Sequence, residues 1–123
     1  MEYIIELQDI VKNYYVGSIV VPALRSVSIN MKPNEYVAIM GPSGSGKSTM
    51  LGLLGCLDVP TEGTITVGGE EVTRLADAAR TRVRGQSIGF VFQQFHLIPH
   101  LDALGNVETA LLYRSLKPAE RKE

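Results

Sequence analysis

The chain has 123 residues, of which 45% are hydrophobic and 20% are charged, and this balance predicts one small folded domain and excludes a disordered chain. Twelve basic and thirteen acidic side chains give a formal net charge of −1, so there is no overall basic field to attract nucleic acid. The single cysteine, Cys56, excludes an internal disulfide and lies in an apolar run. No apolar run approaches the roughly 18 residues of a membrane span, and the N-terminus does not resemble a signal peptide. We therefore expect a cytoplasmic protein without a nucleic-acid partner.

The first forty residues predict three strands. Residues 3–10 and 24–31 alternate between apolar and polar side chains, with turn signals around positions 13 and 17 between them. A tight turn follows, in which Asn34 can adopt a positive φ. Residues 36–40 are nearly all apolar, which is typical of a strand buried on both faces of a parallel sheet.

The middle of the chain predicts a helix over residues 47–57, then a hairpin built on residues 64–67 with a Gly68-Gly69 turn, then a short helix capped by Asp77. Four arginines crowd this last region, and they suit either a solvated helix face or a surface that meets a partner. They are Arg74, Arg80, Arg82 and Arg84.

The last third predicts a buried strand over residues 88–92 and a helix over residues 104–116, where apolar residues recur at helical spacing. Pro118 then opens what looks like another helix, and the chain stops soon after it. A helix that begins at the C-terminus suggests that the domain is cut off there.

A glycine-rich loop between a predicted strand and a predicted helix matches the pattern G-x-x-x-x-G-K-[ST]. Its residues are Gly41, Pro42, Ser43, Gly44, Ser45, Gly46, Lys47, Ser48 and Thr49. This pattern occurs by chance in fewer than about 1% of chains of this length. It therefore predicts a binding site for a nucleoside triphosphate, and ATP with magnesium is the simplest ligand.

The chemistry of phosphate binding explains the spacing of this loop. Glycines let the backbone turn successive N–H groups inward around the phosphate oxygens, and the following helix adds its unpaired N–H groups and the positive end of its dipole. Lys47 can then reach the β- and γ-phosphates, and the Ser48 hydroxyl can ligate Mg²⁺.

The wording of the loop is similar to that of ATP-binding-cassette (ABC) transporter ATPases, and further segments resemble the same family in the right order. These segments are residues 24–28 before the loop, 60–63 after its helix, 88–95 leading into a Q-loop, and Leu97-Ile98-Pro99 with Asn106-Val107. The last match resembles the subfamily of lipoprotein-release and macrolide-export ATPases.

The resemblance implies roles for two more residues. Tyr14 matches an aromatic residue that stacks on adenine, and Gln93 matches the Q-loop glutamine, which ligates Mg²⁺ or orients water and senses the γ-phosphate. It thereby implies catalytic roles for Lys47 and Gln93 and magnesium ligation by Ser48 and Gln93. It also implies two partners besides the nucleotide: membrane-spanning transporter subunits and, in the complete protein, a second nucleotide-binding domain. The transporter subunits would hold the protein at the inner face of the cell membrane.

Two departures from the family pattern are Gly105, where the subfamily usually has an acidic residue, and Asn34, where glycine is usual. A larger departure is that the signature loop, the strand ending in Asp-Glu and the switch histidine do not occur, since His96 and His100 come too early. Residues 1–123 thus resemble the N-terminal part of one nucleotide-binding domain. We expect this chain to bind nucleotide without hydrolysing it alone.

We expect the ATPase subunit of a transporter. The alternative of a nucleotide-binding module that holds nucleotide without turning it over does not conflict with this, since one describes the parent domain and the other the fragment. A third alternative is another P-loop enzyme such as a small-molecule kinase, and the Phe92-Gln93 match and Tyr14 argue against it. All three share an expected α/β fold, with a P-loop NTPase core on a mainly parallel sheet, an antiparallel β flank and a truncated end.

Overall fold

The computed structural model describes residues 2–109 and residue 111. The chain divides into two compact units, Met1–Gly89 and Phe90–Glu123. Within the described residues there are four strands and three helices. They are β1 (Ile5–Val16), β2 (Ile19–Met31), α1 (Lys47–Leu54), β3 (Glu62–Val67), β4 (Glu70–Glu71), α2 (Asp77–Ser87) and α3 (Ala103–Thr109).

The four strands form one antiparallel sheet in the order β2-β1-β3-β4. This sheet confirms the predicted antiparallel flank. Strands β1 and β2 are both longer than predicted, because they join in one hairpin that turns at Gly17, where φ is 62°. The turn expected around Asn13 is wrong, since Asn13 pairs with Pro22 inside the ladder. Pro22 is tolerated because β2 lies at the edge of the sheet.

One face of the sheet packs against helices α1 and α2. The buried apolar residues come from all of these elements and the connections between them: Leu7, Ile10, Leu24, Met50, Leu53, Cys56, Ile65, Val67, Val72 and Val83. Leu7 and Ile10 are three positions apart, yet both are fully buried, because a bulge at Asp9 (φ 51°) shifts the alternation of β1. Gly63 lies opposite this bulge, and a Cβ there would stand 2.5 Å from the Asp9 carbonyl oxygen.

Helix α1 ends three residues before the predicted limit of residue 57. After Gly55, Cys56 adopts a left-handed conformation (φ 55°), and Leu57 donates its N–H to the Gly52 carbonyl at 2.9 Å. This pattern of hydrogen bonds closes the helix end and stops its propagation.

Helix α2 begins at Asp77, but Asp77 is not its cap as predicted. Ala76 holds the capping position without a side-chain hydrogen bond, and the Asp77 carboxylate pairs with Arg80 instead. An acidic side chain in the first turn still interacts favourably with the helix dipole.

All four arginines of this region have partners within the first unit. Arg74 lies 3.9 Å from Glu71 and Arg82 lies 3.6 Å from Glu70. Arg84 donates to the Cys56 carbonyl at 2.7 Å. The exposed side chains of Arg74 and Arg82 fit the interpretation as a solvated surface, whereas Arg80 does not, because its side chain is only 19% exposed.

The two segments predicted as parallel strands, residues 36–40 and 88–92, are not strands in the structure. A strand forms only where its backbone groups find a paired neighbour, and no described residue pairs with either segment. Tyr36 and Met40 are consequently fully or almost fully exposed, as is Val91. The turn before the first of these segments behaves as predicted, with Asn34 at φ 62°.

The second unit is organised around Asn106 in α3. Its side-chain oxygen accepts the N–H of Ile98 at 2.8 Å, and its amide nitrogen donates to the carbonyls of Leu101 (3.1 Å) and Asp102 (2.9 Å). The predicted helix over residues 104–116 is therefore confirmed only in part, because positions 110 and 112–116 lie outside the described residues, as does the helix predicted at Pro118. None of the helices in the described part of the chain is long and apolar enough to cross a membrane.

Candidate phosphate-binding site

The glycine-rich loop leads directly into helix α1, as the sequence predicts. Gly46 caps the helix with φ 97° and ψ 9°, and its carbonyl accepts the N–H of Met50 at 2.9 Å. A Cβ at Gly46 would stand 2.9 Å from the Ala23 carbonyl oxygen and 3.0 Å from a Leu24 methyl carbon. Only glycine therefore fits the backbone at this position without strain or movement. Its small size lets the N-terminus of α1 lie against strand β2.

The ammonium group of Lys47 folds back onto the loop. It donates to the carbonyl oxygen of Pro42 at 2.7 Å and also to that of Gly41. Within the loop, the Ser45 N–H donates to the Pro42 carbonyl at 3.2 Å. A full positive charge thus lies beside the backbone of the loop and close to the positive end of α1, which makes this the natural place for an anion.

A cavity of about 500 Å³ opens beside the loop and the first turn of α1. Its lining combines loop, helix and strand β2: Val21, Pro22, Ala23, Ser43, Gly44, Gly46, Lys47, Ser48 and Thr49. The loop and helix side of this cavity offers glycine backbone, hydroxyls and one ammonium, whereas the strand side is apolar. Such a division suits a ligand with a charged group at one end and a flat, less polar group at the other.

Tyr14 lies next to this cavity, beside two of the residues that line it. It pairs across the hairpin with Val21, and its hydroxyl lies 3.4 Å from the Thr49 hydroxyl. Both Val21 and Thr49 line the cavity. Tyr14 as a whole residue is 41% exposed, so it is open to contact with a ligand.

The residues predicted to bind magnesium lie in different units. Ser48 is exposed in the first turn of α1, whereas Gln93 is exposed at a bend of the second unit. The role of Gln93 therefore stays a prediction. Within the described residues there is no cluster of three or more His, Cys, Asp or Glu side chains that could hold a metal ion without a ligand's help.

Sequence reasoning missed the contribution of strand β2 to the cavity. Val21, Pro22 and Ala23 lie in the stretch between the predicted turn and the predicted second strand. Their place follows from the hairpin register, which sets Val21 opposite Tyr14. The apolar run at residues 19–21 favours a longer hairpin, and a longer hairpin would have indicated that β2 lines the cavity. Lys12, whose ammonium lies over the Tyr14 ring, was also missed.

Comparison with known proteins places these features in one family. The family model described as ABC transporter matches residues 24–123. An uncharacterized ABC transporter ATP-binding protein of Thermotoga maritima is 50% identical over 122 residues, which cover 99% of this chain and 52% of that protein. The macrolide export ATP-binding/permease protein MacB of Marinobacter nauticus is 45% identical over 118 residues, covering 96% of this chain and 18% of that protein.

Solved structures agree with this assignment. The dimeric structure of MJ0796, described as a bacterial ABC transporter cassette, superposes with a TM-score of 0.89 at 47% identity and covers 96% of this chain and 52% of its own. A post-hydrolysis state of MJ0796 bound to ADP and Pi superposes with a TM-score of 0.88 at 48% identity. These likenesses confirm the predicted fold class. The chain spans about half the length of the first of these relatives and of the solved cassettes, and it belongs to the ABC transporter family of ATP-binding proteins.

Proposed function

We propose that this chain binds ATP with magnesium, its triphosphate held by residues 41–49. One observation supports this most directly: the N-terminus of α1, the glycine-rich loop and the Lys47 ammonium all border one cavity. Backbone N–H groups, a helix dipole and a full charge at one place form an anion site of the strength that a triphosphate requires. The close approach of Gly46 to strand β2 fits this ligand, since a side chain there would disturb the start of α1.

The base of the nucleotide stacks on Tyr14 in this proposal. A tyrosine ring offers a flat π-face that covers a base without reading its edges, so GTP should compete with ATP within about an order of magnitude. Ser48 and Gln93 serve as the protein ligands of Mg²⁺, while phosphate oxygens and water complete its coordination. Lys47 and Gln93 take part in catalysis when a complete site is assembled.

The chain acts, in this proposal, as the N-terminal part of the ATP-binding subunit of an ABC transporter. Its relatives include proteins described as macrolide export ATP-binding/permease proteins, and the MJ0796 cassette is described as dimeric. The partners are accordingly a second nucleotide-binding domain and membrane-spanning subunits, with the protein attached to the inner face of the membrane. The apolar segments at residues 36–40 and 88–92, which pair with no strand in the described part of the chain, support this, because further strands of a complete cassette would cover them.

A chain of these 123 residues binds nucleotide without turning it over. Hydrolysis of the γ-phosphate needs a positioned water and charge stabilisation in addition to tight binding. The signature loop and the strand ending in Asp-Glu, which the family uses for these purposes, do not occur in the sequence. Phosphate release with Mg·ATP measures this directly. Turnover near 1 s⁻¹ that depends on Lys47 would contradict it.

Titration of Lys47→Ala with ATP tests the binding site. A charge-assisted contact is worth roughly 1.5–3 kcal/mol, so we expect at least a tenfold loss of affinity. Lys32→Ala is a matched control, because it removes an exposed lysine that does not border the cavity. Unchanged affinity in Lys47→Ala would show that the loop is not the binding site.

A further inference from the structure

Lys12 lies on strand β1 two positions before Tyr14, and the two side chains meet although the register of the strand shifts between Lys12 and Asn13. The Lys12 ammonium nitrogen is 5.2 Å from the centroid of the Tyr14 ring. This is within the range in which a cation is attracted to an aromatic face. The Lys12 side chain is only 12% exposed, which makes it one of the more enclosed charged groups of the first unit.

The ammonium group is fixed by contacts that do not involve Tyr14. It lies 3.1 Å from the Asp58 carboxylate and donates to the Val59 carbonyl at 2.8 Å. Two further hydrogen bonds tie β1 to the same connection, from the Asn13 N–H to the Thr61 hydroxyl (2.9 Å) and from the Thr61 N–H to the Val11 carbonyl (2.7 Å). Lys12 is thus a rigid support whose position is set by the segment that follows α1.

Tyr14 is in turn held at two points. Its hydroxyl meets Thr49 at the start of α1, and its ring meets Lys12, which is anchored beyond the end of the same helix. An exposed tyrosine would otherwise lose rotamer freedom when a base stacked on it, and that loss would weaken binding. A ring already held in place has less freedom to lose.

We propose that Lys12 is a positioning residue for the nucleotide base, which it serves by holding the Tyr14 ring in the orientation that stacks. The proposal rests on the function proposed above, in which Tyr14 stacks on the base. It differs from a purely structural role, in which Lys12 only ties β1 to residues 58–61. A positioning role affects ligands that contain a base, whereas a structural role affects base-free phosphate ligands equally.

A double-mutant cycle with two ligands separates these roles. ATP and inorganic tripolyphosphate, each with Mg²⁺, are titrated into the purified wild-type chain, Lys12→Met, Tyr14→Ala and the double variant. Met keeps the length of the side chain and removes the charge. We expect Tyr14→Ala to weaken ATP by about tenfold and Lys12→Met by about threefold, with tripolyphosphate unaffected by either. In the Tyr14→Ala background, Lys12→Met should cause no further loss, since its effect passes through the ring.

Two companion variants address folding and charge. Lys12→Arg keeps a cation near the Tyr14 ring and should retain most of the ATP affinity that Lys12→Met loses. Asp58→Asn removes one anchor of the ammonium and should lower the affinity for ATP but not for tripolyphosphate. Asp58→Asn also serves if Lys12→Met does not fold. Tyr15→Ala is the matched control for Tyr14→Ala, because the neighbouring ring projects from the opposite face of β1 and is 65% exposed.

The outcomes distinguish this inference from the function on which it rests. If Tyr14→Ala leaves ATP affinity unchanged, base stacking is wrong and the role of Lys12 falls with it. If Tyr14→Ala weakens ATP but Lys12→Met and Asp58→Asn do not, stacking stands and only the positioning role is overturned. Equal losses for ATP and tripolyphosphate in the Lys12 variants would assign Lys12 a structural role and would also overturn the proposal.

Discussion

Gly46→Ala should destabilise the protein strongly, although it adds only one methyl group. The residue has φ 97°, where an L side chain costs about 1–2 kcal/mol. Its Cβ would also stand 2.9 Å from the Ala23 carbonyl oxygen, which belongs to the backbone of β2 and cannot rotate away. Forced overpacking of this kind costs about 1–3 kcal/mol. We expect a total loss of about 2–5 kcal/mol, a large fraction of the stability of a small domain.

Urea denaturation followed by circular dichroism measures this loss. At a slope of about 2 kcal/mol per molar urea, the midpoint of Gly46→Ala should fall by roughly 1–2.5 M. Gly52→Ala is the matched control in the same helix, since a Cβ there meets nothing within 4 Å. It should stabilise the protein by about 0.5–1 kcal/mol, because alanine has the higher helix propensity. A Gly46→Ala midpoint indistinguishable from that of the wild type would refute the close approach of α1 to β2.

Three further outcomes are expected. Mg²⁺ should bind detectably only when nucleotide is present, because Ser48 and Gln93 supply only two protein ligands. Calorimetry that shows micromolar Mg²⁺ binding without nucleotide would contradict this. Burial raises the pKa of the Cys56 thiol, against smaller opposing effects of Arg84 and Arg80. The contribution of this thiol to the free energy of unfolding is therefore complete below the pKa of the unfolded thiol and declines as pH rises through the folded pKa. Between about pH 8 and 10, the urea midpoint should fall more in the wild type than in Cys56→Ala. Asn106→Ala leaves the Ile98 N–H without its acceptor, at a cost of about 1–3 kcal/mol in local stability. Hydrogen exchange at the Ile98 amide should therefore accelerate at least tenfold, while exchange in β1 is unchanged.

The phosphate-binding loop and helix α1 were predictable from sequence because their signals are local. Glycine spacing, a following lysine and a hydroxyl specify both the backbone path and the chemistry within nine residues. Asn34 was predictable for the same reason, as its left-handed conformation depends on its own side chain. The early end of α1 was not, because Cys56 is a poor marker for a left-handed residue and only the hydrogen bonds around it reveal the stop.

Features that depend on distant partners were harder to predict. Residues 36–40 are apolar enough for a buried strand, but a strand also needs neighbours, and none of the described residues supplies them. Lys12 looks like an ordinary surface lysine in the sequence, since its partner Asp58 lies 46 positions away. The extension of β2 through Pro22 likewise depends on an edge position that the sequence alone does not specify.

The contact between the Lys47 ammonium and the loop carbonyls changes how substitutions at this lysine should be interpreted. The ammonium donates to the carbonyls of Gly41 and Pro42 within the loop itself. A phosphate that accepts from this ammonium competes with these carbonyls, so the measured affinity reports the difference between two sets of hydrogen bonds. Removing the lysine weakens both states, so the loss of affinity understates the attraction between ammonium and phosphate. Calorimetry of wild-type and substituted chains, combined with their stabilities in the absence of ligand, would separate the two contributions.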